Sequence, residues 1–237
     1  DNLTLKPDRV KSLCEAIISK GLNRKLLFGI GGGIRPDKGD QEMFDLMKRA
    51  GFYFVAIAVE NPDRDISKRL GRGLAPGRNF DAIGMARKAG LFIHTFHILG
   101  SPFDTKQSMR ENIEFARRSA AHVVFFFMMR PYPGTELHEM LSRENKITGK
   151  QHDEVSSVNE LSGSYSANDW DAGELKHIMK YAYRRVYTRP WRMIRLMANV
   201  PFMTASFVVL MKILMNMVFG GAPSHDSVRA RYRQEQV

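Results

Sequence analysis

Val123-Val124-Phe125-Phe126-Phe127-Met128 runs directly into Met129-Arg130-Pro131-Tyr132-Pro133-Gly134-Thr135-Glu136-Leu137-His138. The first six residues are apolar at every position rather than at alternate ones, the pattern of a strand buried on both faces. Pro131 and Pro133 then hold φ at about −65° and remove two backbone donors, while Gly134 permits positive φ. Such a strand ends in a rigid open turn, with a helix predicted from near Thr135. Main-chain carbonyls and the Tyr132 ring are left at the C-terminal end of the strand, where parallel α/β sheets and barrels carry their chemistry.

Upstream, the chain reads as repeated helix-then-strand units. Pro7 to Lys20 places apolar residues at 10, 13, 14, 17 and 18, a helix with one buried face, and Gly21 suits its exit. A strand is predicted at Lys25–Ile30, a helix at Asp40–Ala50 with Asp40 as N-cap, and a strand at Tyr53–Val59. A short helix at Asp63–Leu70 and a second at Asn79–Ala89, capped by Asn79, lead to a strand at Leu91–Leu99. A helix at Thr105–Ser119 completes the series before Val123. The exits Lys48-Arg49-Ala50-Gly51 and Arg87-Lys88-Ala89-Gly90 are near copies. Continuously apolar strands with helices between them imply a parallel sheet with right-handed crossovers, either a barrel segment or a doubly wound sheet.

Composition narrows the options. The single cysteine, Cys14, excludes an intramolecular disulfide and any multi-cysteine metal site built from these residues alone. Its helical neighbours Val10, Leu13, Ile17 and Ile18 mark it as a core residue. The formal net charge is +11, and residues 173–237 carry 11 Lys/Arg against 3 Asp/Glu, so the excess sits in the tail. No basic stripe with interleaved aromatics marks the first part, so a nucleic-acid partner is not expected.

Polar residues gather at the strand ends. Gly31-Gly32-Gly33-Ile34-Arg35 reads as a loop after the first strand, with Arg35 able to clamp a carboxylate. Glu60 ends an apolar strand, where burial is costly unless it pairs with an arginine or meets a ligand. Gly100 and Ser101 end the third strand, and Pro131 and Tyr132 the fourth. His94 and His97 are three apart, so they point to opposite faces and do not share a metal.

The ordered set Gly33-Ile34-Arg35-Pro36-Asp37, Val59-Glu60-Asn61, Leu70-Gly71-Arg72-Gly73, Ile98-Leu99-Gly100-Ser101-Pro102 and Pro131-Tyr132-Pro133-Gly134-Thr135 resembles the radical S-adenosylmethionine (radical SAM) enzymes. The likeness spans about residues 1–145 and is nearest to the branch whose members carry an N-terminal cobalamin-binding domain. The resemblance implies an α/β fold, a partial radical SAM (βα)6 barrel (strands three to six) followed by a helical C-terminal extension. Expected divisions are residues 1–147 for the barrel part, 148–190 for a polar loop and helical extension, and 191–237 for a basic and apolar tail.

It also implies a 4Fe-4S cluster and S-adenosylmethionine as cofactors of the intact protein, cobalamin through the N-terminal domain, an electron donor, and a small-molecule or lipid-like substrate. The family's CxxxCxxC motif is absent from these 237 residues, so this part alone is expected to be inert. Carried over by position, Glu60 and Asn61 lie by the methionine or ribose part of the cofactor. Arg35 approaches cofactor or substrate, Gly100 and Ser101 form the glycine-rich strand end, and Pro131 and Tyr132 stand near the adenine. Ser101-Pro102-Phe103-Asp104 and Asn61 depart from the family's commoner residues.

Two other readings use the same residues: a cluster-free barrel enzyme holding an anionic metabolite through Arg35 and the glycine run, and a non-catalytic module whose tail docks on a membrane or partner. In the tail, Arg184, Arg185, Arg189, Arg192 and Arg195 precede the apolar run to Phe219, and Arg229, Arg231 and Arg233 follow it. This pattern suits an interfacial amphipathic helix on anionic lipid or a helix packed on the barrel. The expected location is the cytoplasm, with peripheral contact at the inner face of the membrane.

Overall fold

The structure is a computed structural model that describes residues 3–74, 77–147 and 170–199. Four strands, β1 (Phe28–Ile34), β2 (Phe52–Glu60), β3 (Phe92–Leu99) and β4 (Val123–Met128), form one sheet in the order β1-β2-β3-β4 with every pair parallel. Helices α1 (Pro7–Ser19), α2 (Gln41–Arg49), α3 (Arg64–Arg69), α4 (Arg78–Lys88), α5 (Lys106–Arg118) and α6 (Glu136–Arg143) accompany the strands. Helices α7 (Ala172–Tyr187) and α8 (Pro190–Asn199) follow. A parallel sheet that always adds its next strand on the same side, with crossovers of one hand, gathers its helices on one face. A doubly wound sheet reverses its order and covers both faces. The unreversed order here is that of a barrel wall.

The local stops follow the sequence chemistry. Asp40 accepts from the Met43 amide at 2.7 Å and starts α2, and Thr105 with Ser108 forms a capping box at α5. Two boundaries differ from expectation. The strand predicted at Lys25–Ile30 instead runs Phe28–Ile34, so Gly31–Gly33 belong to the strand and form no anion-cradling loop. Gly31–Gly33 fall in the register irregularity between Ile30↔Val55 and Ile34↔Ile57, a bulge in which Gly33 adopts φ 81°, and a side chain at Gly29 would lie 2.0 Å from the Phe54 ring. The glycines let β2's aromatics lie across β1. Likewise α4 starts one turn-position earlier than expected, with Gly77 at φ 82° as its N-cap; Asn79 is inside the helix and buried.

The core lies between the helices and one sheet face. Val55, Ile57, Val59, Ile93, Leu99, Val124 and Phe126 share it with Cys14, Met43, Phe44, Met47 and Ile83. The outer edge of β4 is closed by α7. Tyr187 Oη accepts from Val124 N at 2.7 Å and donates to Val124 O at 2.9 Å, and Tyr183 does the same for Phe126 at 3.1 and 3.2 Å. Four helical residues rise about 6 Å, close to the roughly 6.6 Å of two strand residues, so one helix face serves two successive edge residues. Burial holds both phenols above their ordinary pKa and keeps them neutral. Arg192 of α8 is buried and donates to the carbonyls of Ala116, Ser119 and Ala121, where the C-terminal end of the α5 dipole favours a cation.

No described helix is long and apolar enough to cross a membrane. The apolar run Val200–Phe219 and Arg229, Arg231 and Arg233 lie outside the described residues, as does most of the polar stretch 148–171.

Candidate active site

At the C-terminal ends of the strands, buried polar groups are wired to one another. Glu60 adopts φ 58°, a left-handed conformation that costs a non-glycine residue about 1 kcal/mol or more. It coincides with the register shift between Ala58 and Glu60 where β2 leaves β3. The Glu60 carbonyl accepts from Asn112 Nδ2 at 3.1 Å, and the same amide donates to Ile98 O at 3.0 Å. Asn112, fully buried on α5, thereby ties the ends of β2 and β3 together. The Glu60 carboxylate forms an ion pair with Arg72, the salt-bridge alternative weighed for it. Burial raises its pKa, and the charges of Arg72 and Arg35 oppose that rise.

Asp104 organises the next layer. Its carboxylate accepts from Ser101 N at 2.8 Å, Ser108 Oγ at 2.9 Å and Asn61 Nδ2 at 3.1 Å. Asn61 Oδ1 in turn accepts from Asp63 N at 3.0 Å, starting the turn into α3. Burial pushes the Asp104 pKa up, and those donors offset it. Trp170 donates from its indole to Asp104 O at 3.2 Å, so the segment before α7 is anchored to the same turn. Asn112 and Trp170 carry no local motif, and Arg72 stands in the Leu70-Gly71-Arg72-Gly73 motif, which does not by itself mark it as the partner of Glu60. Asp104 does have a readable signal, a carboxylate three residues after Ser101 where an Asx-type turn accepts backbone amides.

His97 is fully buried, with Nδ1 2.7 Å from Asn112 Oδ1 and Nε2 3.2 Å from Thr95 Oγ1. The Asn112 amide nitrogen is committed to two carbonyls, so its oxygen accepts and the imidazole proton sits on Nδ1. Burial lowers the His97 pKa to about 4, which keeps the ring neutral. This is a satisfied core histidine. His94, on the opposite face, is only part-buried and stacks among aromatics.

That opposite face is distinctive. Phe54, His94, Phe96, Phe125 and Phe127 form a continuous ring-to-ring surface with centroid separations from 5.0 to 6.5 Å. Each is half-buried, while the residues alternating with them are sealed under helices. One sheet face is therefore core, and the other is an apolar aromatic wall beneath the wired strand ends.

The predicted site residues divide accordingly. Glu60 is held by Asn112, and Asn61 and Ser101 by Asp104, in two neighbouring hydrogen-bonded groups that meet at the Glu60-Asn61 peptide. Arg35 stands electrostatically close to Glu60, but its guanidinium is held bidentately by Asp37 at 2.9 and 3.0 Å. Gly100 has φ 73°, and a Cβ there would come within 2.6 Å of Leu175, so its bareness admits α7. Pro131 is buried, and Tyr132 is 61% exposed with its carbonyl accepting from Thr135. Cys14 does not fit as a cluster ligand: it is fully buried in α1, and burial pushes its thiol up to about 11.

The description "Radical SAM superfamily" matches residues 2–116. Over 190 residues, 80% of this chain and 40% of the relative, the sequence is 23% identical to an uncharacterized methyltransferase of Pyrococcus horikoshii. It is also 23% identical over 195 residues, 80% of this chain and 31% of the relative, to the anaerobic magnesium-protoporphyrin IX monomethyl ester cyclase of Cereibacter sphaeroides. The chain thus spans less than half of either relative. Among solved structures, the cobalamin-dependent S-adenosylmethionine radical enzyme OxsB is superposable with a TM-score of 0.54 at 16% identity, over 98% of this chain and 40% of that one. With their parallel strands in unreversed order, residues 2–116 of this chain are a radical SAM superfamily region.

Proposed function

We propose that these residues form the substrate-side wall of a radical SAM enzyme that acts on an apolar small molecule, by methyl transfer or oxidative cyclisation. The observation that carries this reading is the half-buried aromatic surface of Phe54, His94, Phe96, Phe125 and Phe127 on the sheet face away from the helices. An apolar concave wall with few polar groups, placed just below them, suits a hydrophobic substrate held out of water. The two relatives named above, a methyltransferase and a cyclase, favour the two reaction types.

In the family, the 4Fe-4S cluster and S-adenosylmethionine supply the radical chemistry, and the protein supplies binding, orientation and exclusion of water. Cys14 is not among the cluster thiolates, so these come from elsewhere in the intact protein. On this chain, the main chain at Glu60-Asn61 and Gly100-Ser101 would flank the methionine and ribose of S-adenosylmethionine. Pro131 and the exposed ring of Tyr132 would flank its adenine, and Arg35 would face cofactor or substrate. The Asn112 and Asp104 hydrogen bonds fix those strand ends before the ligand arrives. Cobalamin held by another domain, an electron donor, and peripheral contact of the basic tail with membrane complete the proposal.

The test uses the full-length protein, reconstituted anaerobically with iron, sulfide and a reductant. The expected result is release of 5′-deoxyadenosine or S-adenosylhomocysteine, reduced about tenfold or more in Tyr132→Ala with the cluster absorbance unchanged. No S-adenosylmethionine turnover by the loaded protein would overturn the assignment. Residues 1–237 alone are expected to show none.

A further inference from the structure

A second site lies at the other end of the sheet. A cavity of about 580 Å³ opens at the N-terminal ends of β2, β3 and β4, under α8. Lys48 from the end of α2, Arg87 from the last turn of α4 and Arg195 of α8 line it, together with Tyr53, His122 and Asn199. No carboxylate among the described residues lines it. Among the described residues, Lys48, Arg87 and Arg195 form no ion pair.

Three cations converging on one cavity repel one another, and burial together with Arg87 and Arg189 depresses the Arg195 pKa. Such an arrangement is unfavourable unless something negative compensates it. Of the remaining polar groups, Asn199 is engaged with the Arg195 carbonyl, whereas Tyr53 and His122 can donate. His122 Nδ1 accepts from Ile93 N at 3.0 Å, so the neutral ring carries its proton on Nε2. Its ring is fixed by stacking on Phe92 at 4.6 Å. Lys48 is held over the cavity floor, its Cε 3.7 Å from where a Cβ on Gly90 would stand.

We propose that this cavity binds a phosphate-class anion, the phosphate or pyrophosphate group of a phosphorylated small molecule or of a lipid headgroup. Two guanidinium forks and an ammonium match the several acceptor oxygens of such a group. The volume falls in the range of small-molecule sites, roughly 300–1,000 Å³, and so exceeds what a lone inorganic ion requires. The site lies at the opposite end of the strands from Glu60, Ser101 and Tyr132, so its occupant is distinct from the reacting ligands.

Calorimetric titration of the full-length protein with inorganic pyrophosphate tests the site, alongside flotation with phosphatidylcholine vesicles with and without phosphatidylglycerol. Pyrophosphate binding that weakens with salt, and falls about tenfold or more in each of Arg87→Gln and Arg195→Gln, supports a soluble phosphorylated ligand. Inert pyrophosphate with phosphatidylglycerol-dependent flotation lost in the same variants supports the headgroup. Binding of neither probe, or binding equal in wild type and variants, overturns the site. Because the cations repel, each ligand-free variant is expected to unfold at or above the wild-type temperature. A clear fall would instead assign these residues a structural role and overturn the proposal.

Discussion

The two ends of this sheet solve the problem of buried polarity in opposite ways. At the C-terminal end, Asp104 accepts from Asn61, Ser101 and Ser108, Asn112 joins Glu60, Ile98 and His97, and Glu60 is matched by Arg72. At the N-terminal end, Lys48, Arg87 and Arg195 share a cavity that no carboxylate lines among the described residues. The first end is closed by its own partners except at two buried groups, Ser101 Oγ and Arg72 Nη1, and the second is electrostatically unfinished. The contrast teaches that rigidity and charge are allotted separately: the proposed radical chemistry would benefit from a preformed frame, whereas the unbalanced cations would be relieved by the proposed anion.

The largest expected break falls on the C-terminal end. Asn112→Leu leaves the carbonyls of Glu60 and Ile98 and the Nδ1–H of His97 unpaired in the interior. We expect a loss of about 4 kcal/mol in urea unfolding, near the upper end for point substitutions. A loss below about 1 kcal/mol would mean that the strand ends are not held by this network.

A smaller effect distinguishes the histidines from ordinary surface ones. His97 and His122 have folded pKa values lowered to about 4, against 6.5 for the ordinary side chain. A histidine depressed in the folded state contributes stability that is full above about 6.5 and lost as the pH falls toward 4. Fully buried His97 alone is expected to lose about 2 kcal/mol between pH 7 and pH 5. The loss should be absent in a stable His97→Gln variant, and pyrophosphate in the basic cavity should raise the His122 pKa observed by NMR without moving that of His97.

The smallest effect is expected at the unfinished end. Arg87→Gln removes one of three mutually repelling cations and should change stability by less than about 0.5 kcal/mol, or raise it. A loss above 1 kcal/mol would show that Arg87 has a structural partner and would erase the contrast between the ends.

Much of the frame was legible in the chain itself. The unbroken apolar runs at 54–59 and 123–128, the caps Asp40, Thr105 and Thr135, and Gly21 in its left-handed exit stand where local chemistry puts them. The extension of β1 through Gly31–Gly33 was not legible, because glycine signals a loop locally and the strand resumes its pairing with β2 only at Ile34, beyond the bulge. Nor was the Gly77 cap, since Asn79 is the stronger capping residue by type. The order of the ligand-end residues could be read, but not that Asn61 and Gly100 would face protein partners, Asp104 and Leu175. Arg72 reaches Glu60, and Tyr183 and Tyr187 reach β4, across separations in sequence that no short-range pattern records.

The most direct measurement is hydrogen–deuterium exchange on the full-length, cluster-loaded protein with and without S-adenosylmethionine. The account predicts added protection at Glu60–Asp63, Gly100–Asp104 and Arg130–Gly134, and none at residues 48–53, 90–92 or 122. Protection confined to the N-terminal strand ends, or absent from all three C-terminal segments, would contradict it.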